Sequence, residues 1–368
     1  GMEEEEAGEG DETEDHLQPG VSTEGGFDFR FGQNFASQQQ VPRTNIDRGW
    51  TVTTPSPVPL DPHLPPTMFL LVLLFLDVTG FVHAVPPPAP TVEIAPNVHM
   101  PRVNLGFCNH SVWLANSGRG VDTAYVYGDQ AQRETGQSVR GSALPRDQLF
   151  VTTKVPCCPA GKWMKAAGGL PAFCAALGHN TSAQINHDMA TLDLDYVDLM
   201  LLHWPCDTFE ETMEAYHALE NALKAGKTKA IGISNFNASM VDRMVRAADV
   251  KPAVNQCGFS IAGHTNETWG RDDATVAMCK QHGVTYEAYS PLGGWAKGGT
   301  GRVLKDPTVN AIAATHNKSS AQVALRWVVQ QDIVVVTASD NTAHLMGDLD
   351  LFDWSLTQEE MAQLGALR

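Results

Sequence analysis

Asp122 and Tyr127 stand five residues apart in GVDTAYVYGD, residues 120–129. That spacing is too long for neighbours on one strand face. It suits a strand end that bends into a loop and returns both side chains to one pocket. A free phenol titrates at about pH 10 and is a poor proton donor or acceptor at neutrality. A nearby ammonium would favour the phenolate, and a carboxylate would hold that ammonium charged. Proton transfer is therefore the chemistry open to this pair, provided a lysine joins it. Lys154 closes the apolar run LFVTTK, and His203 closes VDLMLLH. Each of the four residues has a plainer reading taken singly: a turn bond for Asp122, a packing ring for Tyr127, a strand-end charge for Lys154 and a core histidine for His203. Their shared position at the ends of successive apolar runs favours the chemical reading.

The elements that must position them can be traced from the same runs. Strand candidates are Val103–Leu105, Gly120–Thr123, Leu149–Thr153, Val197–Leu202, Ala230–Ser234, Ala253–Gln256, Thr285–Ala288 and Ile333–Thr337. They are continuously apolar rather than alternating, as strands buried on both faces are. Helical stretches fall between them at Ala131–Gly141, Ser182–Leu192, Phe209–Ala225, Ser239–Ala248, Asp273–His282, Asp306–Asn317 and Ser320–Gln330, and Ser355–Leu364 closes the chain. Asp207 or Thr208 is placed to cap the third of these. Eight strands alternating with helices predict an α/β fold, a (β/α)8 TIM barrel, which ordinarily takes about 250 residues. A doubly wound sheet would want a glycine-rich fingerprint after the first strand, but Gly106 is followed by FCNHS. In a barrel, residues at the C-terminal strand ends share one rim, and all four candidates lie there.

The chain has 368 residues and a net charge of −17, unevenly spread. Residues 1–67 hold 13 acids and 3 bases, leaving 29 acids and 22 bases beyond them. The acidic, then Gln/Ser-rich, then Pro-rich head reads as a disordered tail, and the remainder carries no nucleic-acid footprint. Residues 68–85, MFLLVLLFLDVTGFVHAV, form a hydrophobic segment too short in its unbroken part to span a bilayer, which takes about 20 residues. It has the length of a signal-peptide core, with Val82-His83-Ala84 as a small-residue cleavage site. It could equally serve as a tether, and a membrane partner is expected only if it is retained. Five Asn-x-Ser/Thr sites, at Asn109, Asn180, Asn237, Asn266 and Asn317, permit a secretory route. Residues 86–97 read as a Pro-rich linker, and 98–368 as the barrel domain. Seven cysteines lack a Cys-x-x-Cys pair, and His-Glu-x-x-His is absent, so no metal site is expected.

VDTAYVYGD, LFVTTK, DYVDLMLLHWP, AIGISNFN, PAVNQ and YSPLGG occur in that order, and with them the chain resembles the aldo-keto reductase superfamily from about Val98 to its end. The resemblance implies NAD(P)H-dependent reduction of an aldehyde or ketone by a tetrad of Asp122, Tyr127, Lys154 and His203. It implies that Ser234, Asn235 and Gln256 hold the nicotinamide carboxamide, and that Tyr289 stacks on its ring. Ser290, Pro291, Leu292 and Gly293 would run along the pyrophosphate. It also implies a monomer with a small carbonyl substrate, cytoplasmic unless Met68–Ala84 acts as a signal. On this reading Lys154, held by Asp122, lowers the pKa of Tyr127 toward the working range. A cofactor-binding regulatory or redox-sensing module is the alternative, because fold alone does not set function.

Four departures from the family pattern matter. The first helix is shortened to about His110–Asn116, with Phe107 and Trp204 as candidate substrate-pocket aromatics. An insertion, CCPAGKWMKAAGGLPAFC, follows Val155-Pro156; Cys174 would pair with Cys157 or Cys158, or the loop is flexible and reduced. After the eighth strand, the cations that hold the 2′-phosphate of NADP(H) are replaced by Ala338, Ser339 and, a turn later, His344. NAD(H) is therefore admitted beside NADP(H). Only a few residues, ending at Arg368, follow the last helix, so an open pocket is expected.

Overall fold

Every one of those apolar runs becomes a strand. In the computed structural model, residues 86–158, 180–294 and 299–367 are described, with the backbone of a short antiparallel pair, Phe75–Leu76 and Val82–His83. The tail 1–67, the rest of the 68–85 segment and Cys174 lie outside the described residues. Among the described residues, no helix is long and apolar enough to cross a membrane.

A hairpin precedes the barrel strands. Thr91–Ala95 (β1) pairs antiparallel with Val98–Pro101 (β2), and Asn97 takes a left-handed φ of 61° in the turn between them. The proline run before it suggests a linker, but β-branched and apolar residues recur in TVEIA and pair with VHMP. Asparagine tolerates the turn conformation because its short side chain costs little there. Then come the barrel strands: Val103–Leu105 (β3), Gly120–Asp122 (β4), Phe150–Val155 (β5), Val197–Leu202 (β6), Thr228–Ser234 (β7), Val254–Gly258 (β8), Thr285–Tyr289 (β9) and Val334–Thr337 (β10). All neighbours are parallel, and the order β8-β9-β10-β3-β4-β5-β6-β7 closes on itself.

Burial on both faces explains the unbroken apolar runs. All six residues of β5 and all six of β6 are buried. Phe150, Leu199, Leu201, Ala230, Val254 and Val334 fill the lower barrel, and Val98 and Met100 of the hairpin pack against them. The hairpin thus closes the end opposite the predicted rim. Val151, Val155, Met200, Leu202, Ile231 and Ile233 belong to the other cluster, between barrel and helices.

The surrounding helices are His110–Ala115 (α1), Asp129–Arg140 (α2), Thr181–Leu192 (α3), Phe209–Lys224 (α4), Ala238–Ala247 (α5), Asp273–His282 (α6), Gly299–Leu304 (α7), Pro307–His316 (α8), Ser320–Val329 (α9), Thr342–Leu349 (α10) and Gln358–Gly365 (α11). Thr208, not Asp207, caps α4, in a reciprocal box with Glu211. The same box, Thr357 with Glu360, starts α11 three residues later than Ser355. Asn109, Asn180 and Asn237 are the N-caps of α1, α3 and α5, each accepting a backbone N–H through its side chain. Three of the five Asn-x-Ser/Thr sites therefore have a structural cause in helix capping. Helix α10 is not among the predicted stretches, and it lacks the capping box that marks α11, a helix of the same length. The one local signal of α10 is the Asn341 cap.

Candidate active site

Three successive barrel strands, with the turn after the first of them, bring the four predicted residues to one end of the barrel. Asp122 is the last residue of β4, and Tyr127 ends a one-turn 3-10 helix, Tyr125–Tyr127, directly after it. Lys154 is the penultimate residue of β5. His203 follows β6, and its backbone N–H still bonds Val155 O at 2.8 Å, so the ladder carries it to the rim. Lys154 Nζ donates to Asp122 Oδ1 at 2.5 Å and to Thr123 O at 3.1 Å. It lies 5.5 Å from the Tyr127 ring centroid. The Tyr127 ring meets His203 edge-on at 6.2 Å. Asp122 and Lys154 are buried, whereas Tyr127 is 41% exposed. The ring therefore borders solvent while its proton chemistry faces the buried ion pair.

Burial lowers the affinity of Lys154 for its proton, but Asp122 and Tyr127 outweigh this and hold it raised. Tyr127 departs from the expectation of a lowered pKa. Burial raises it first, Lys154 opposes, and the net direction is upward. The phenol is thus held protonated, because losing a proton into a poorly solvated site costs more than one already paired lysine returns. Burial, then Lys154, push His203 well below its ordinary value, so it is a neutral imidazole.

The residues assigned to the cofactor lie on the adjoining arc, turned on one another. Ser234 Oγ donates to Gln256 O at 2.7 Å. Asn235, at a left-handed φ of 65°, donates to His203 O at 3.0 Å and accepts from Tyr289 Oη at 2.8 Å. Gln256 Nε2 points inward, donating to Asp122 Oδ2 and Glu287 Oε2, both at 2.8 Å. Ser290 and Gly293 have φ of 49° and 84°, bending Ser290–Gly293 into a tight turn in which Gly293 N bonds Ser290 O at 2.9 Å. Pro291 and Leu292 lie within it. Ser339 Oγ is 3.3 Å from His344 Nδ1 just after β10, at the start of α10. Of the two aromatics expected to line a substrate pocket, Phe107 is 47% exposed and 5.9 Å from the Tyr127 ring. Trp204 is buried and stacks on His203 at 4.5 Å, where it supports the imidazole from the core.

Of the two partners expected for Cys174, Cys157 is taken: it is bonded to Cys206. Proximity in sequence favours Cys174, but the parallel pairing of β5 and β6 brings the segments after Lys154 and His203 side by side. Cys158 is also disulfide-bonded, and Cys174 lies outside the described residues. Two further polar residues join the site without having been expected there. Arg271 donates to Tyr289 Oη at 2.5 Å, and no local signal marks it. Glu287 is a lone acid in TYEAY with the same strand parity as Tyr289, and that parity is a signal the sequence carries.

Three buried carboxyls titrate high: Glu287 near 8, Asp348 near 7 and Asp188 near 6, burial being the first cause of each. The folded protein therefore keeps protons that the unfolded chain has already released, and its stability rises as pH falls through this range. Buried His110 and His203 act oppositely, but only below their ordinary value of 6.5. Thermal unfolding should accordingly show a Tm that climbs from pH 8 to pH 6.5. A Tm flat or falling over that interval would count against these protonation states.

The Aldo/keto reductase family profile matches residues 111–368. Morphine 6-dehydrogenase of Pseudomonas putida is 34% identical over 295 residues, covering 76% of this chain and 91% of that protein. Glyoxal reductase of Bacillus subtilis is 33% identical, with 75% and 92% covered. Among solved structures, an aldo-keto reductase from a deep-sea metagenome is 29% identical with a TM-score of 0.63, covering 76% of this chain and 94% of that one. A Bombyx mori aldo-keto reductase in complex with NADP is 26% identical with a TM-score of 0.62, covering 76% and 93%. A closed (β/α)8 barrel, six ordered motifs and matches across more than two thirds of the chain lead to one conclusion: this chain belongs to the aldo-keto reductase family.

Proposed function

We propose that the chain is an NAD(P)H-dependent carbonyl reductase in which Tyr127 supplies the proton. The observation that carries this reading is the buried Asp122–Lys154 pair beside a phenol that keeps its proton. A bound dihydronicotinamide supplies the hydride. As negative charge builds on the substrate oxygen, Tyr127 gives it a proton and Lys154 faces the phenolate left behind. Neutral His203 donates a hydrogen bond to the same oxygen and orients it. Asp122 keeps Lys154 charged throughout. Ser234, Asn235 and the remaining oxygen of Gln256 fit a carboxamide, and Tyr289 fits a ring platform locked from behind by Arg271 and Asn235. The reading is tested by following nicotinamide oxidation with a nitrobenzaldehyde as acceptor; cofactor binding without turnover would defeat it.

Cofactor choice follows from the segment after β10. A phosphate monoester wants a charge-assisted partner, and Ala338, Ser339 and His344 offer only one weak candidate. NADPH and NADH should therefore bind within about tenfold of each other, whereas a strong cation would bias the ratio further. Titration of intrinsic fluorescence with both cofactors checks this, and a preference of about a hundredfold for NADPH would overturn it.

A further inference from the structure

The barrel interior holds a second carboxyl that the tetrad leaves unexplained. Glu287, two residues before Tyr289 in β9, is completely buried. Gln256 Nε2 bridges it to Asp122, at 2.8 Å to each carboxyl, and Asn104 Nδ2 of β3 donates to its Oε1 at 3.1 Å. The charged and titratable groups facing it are Asp122 from β4, Lys154 from β5 and, beyond them, Tyr127. Among the described residues, the cation in this set is Lys154, and it is spent on Asp122 at 2.5 Å. Two carboxylates and one ammonium, all away from water, leave a negative charge without a counterion. Such a site settles by keeping a proton on the less well-paired acid. Asp122 has the ion pair, whereas Glu287 has only side-chain amides.

We infer that Glu287 is a positioning residue for the tetrad: it holds a proton while Tyr127 donates, and once ionised it opposes the phenolate that donation leaves behind. The inference rests on the carbonyl-reductase reading above. In the reducing direction the Tyr127 O–H bond breaks and a new O–H bond forms on the former carbonyl oxygen. The electron pair stays on Tyr127 as phenolate, faced by Lys154. With Glu287 protonated, the phenolate, Asp122 and Lys154 carry a net charge of minus one. With Glu287 ionised, a second uncompensated negative charge lies in the same barrel mouth. Burial, then Asp122, push the Glu287 carboxyl up to about 8, so the change falls within the range where kinetics are readily measured. Reduction slows as pH rises through it.

The test compares pH profiles of kcat for carbonyl reduction in the wild type, Glu287→Gln and Glu287→Thr. The wild type should lose rate by about tenfold across a limb centred near 8. In both variants that limb should move upward by at least about one pH unit, a tenfold change in proton affinity. A merely structural role would scale the whole profile and leave the limb in place, and that result overturns the inference. Should neither variant fold, the wild type with 13C-labelled glutamate carboxyls still decides the matter. One glutamate resonance titrating near 8 supports it. All glutamates titrating in the ordinary range, about 4 to 5, overturn it. A glutamate titrating near 8 in a protein without turnover would sink the reductase reading and leave the Glu287 proton standing.

Discussion

Tyr127→Phe should abolish most carbonyl reduction, lowering kcat by about 10²- to 10⁴-fold, the usual worth of a positioned proton donor. The substitution keeps the ring that borders Phe107 and His203 and removes only the hydroxyl. Asp122 and Lys154 remain paired, so folding and cofactor affinity should be close to wild type. That split is diagnostic: turnover is lost while binding of NADPH and NADH is retained. The pH behaviour sharpens it. Burial holds the phenol protonated, so donation needs no prior ionisation, whereas alcohol oxidation must first strip the proton and should accelerate as pH rises. Stopped-flow oxidation of NADPH by wild type and variant measures the difference. A loss of less than about tenfold would mean that another group supplies the proton.

The second large effect concerns the covalent tie across the rim. Cys157 and Cys206 are 49 residues apart in sequence, and each follows by three positions a tetrad residue, Lys154 and His203. Removing a cross-link over a loop of this length costs about 4 kcal/mol in a chain-entropy account, with about 2 to 4 typical of measured cases. Cys157→Ala/Cys206→Ala should therefore unfold at distinctly lower temperature than the oxidised wild type. It should also lose activity, because the ends of β5 and β6 hold the lysine and the histidine. Reduction alone would be ambiguous, since Cys158 is also oxidised, so the double variant is the cleaner probe. The expected readouts are calorimetric unfolding and an intact-mass count of free thiols. Equal Tm values for variant and wild type, with both wild-type thiols found free, would dispose of the idea.

Much of the barrel was readable because its determinants are local. A strand with helices outside and side chains inside is apolar on both faces, so VDLMLL and FVTTKV announce themselves without any knowledge of their neighbours. The rim residues were readable for a related reason: Asp122, Lys154 and His203 are polar interruptions at the ends of such runs. The hairpin Thr91–Ala95 and Val98–Pro101 was not, because prolines on its N-terminal side mask a short alternating pattern. Helix α10 was not, because it has no capping box to mark its start, whereas α11, of equal length, does.

The sequence by itself determined the strand–helix alternation, the family motifs and the placing of Asp122, Lys154 and His203 at successive strand ends. Only the tertiary structure decided how those groups are charged and which of them touch. Tyr127 is raised rather than lowered because desolvation depends on what surrounds the site in three dimensions, not on the residues beside it in the chain. Cys157 joins Cys206 because parallel pairing of β5 and β6 brings together segments 49 residues apart. Gln256 turns inward to Asp122 and Glu287 because closing the barrel places β8 and β9 across from β4. Residue type and spacing specify which groups exist and in what order. Burial and barrel closure specify their protonation and their partners.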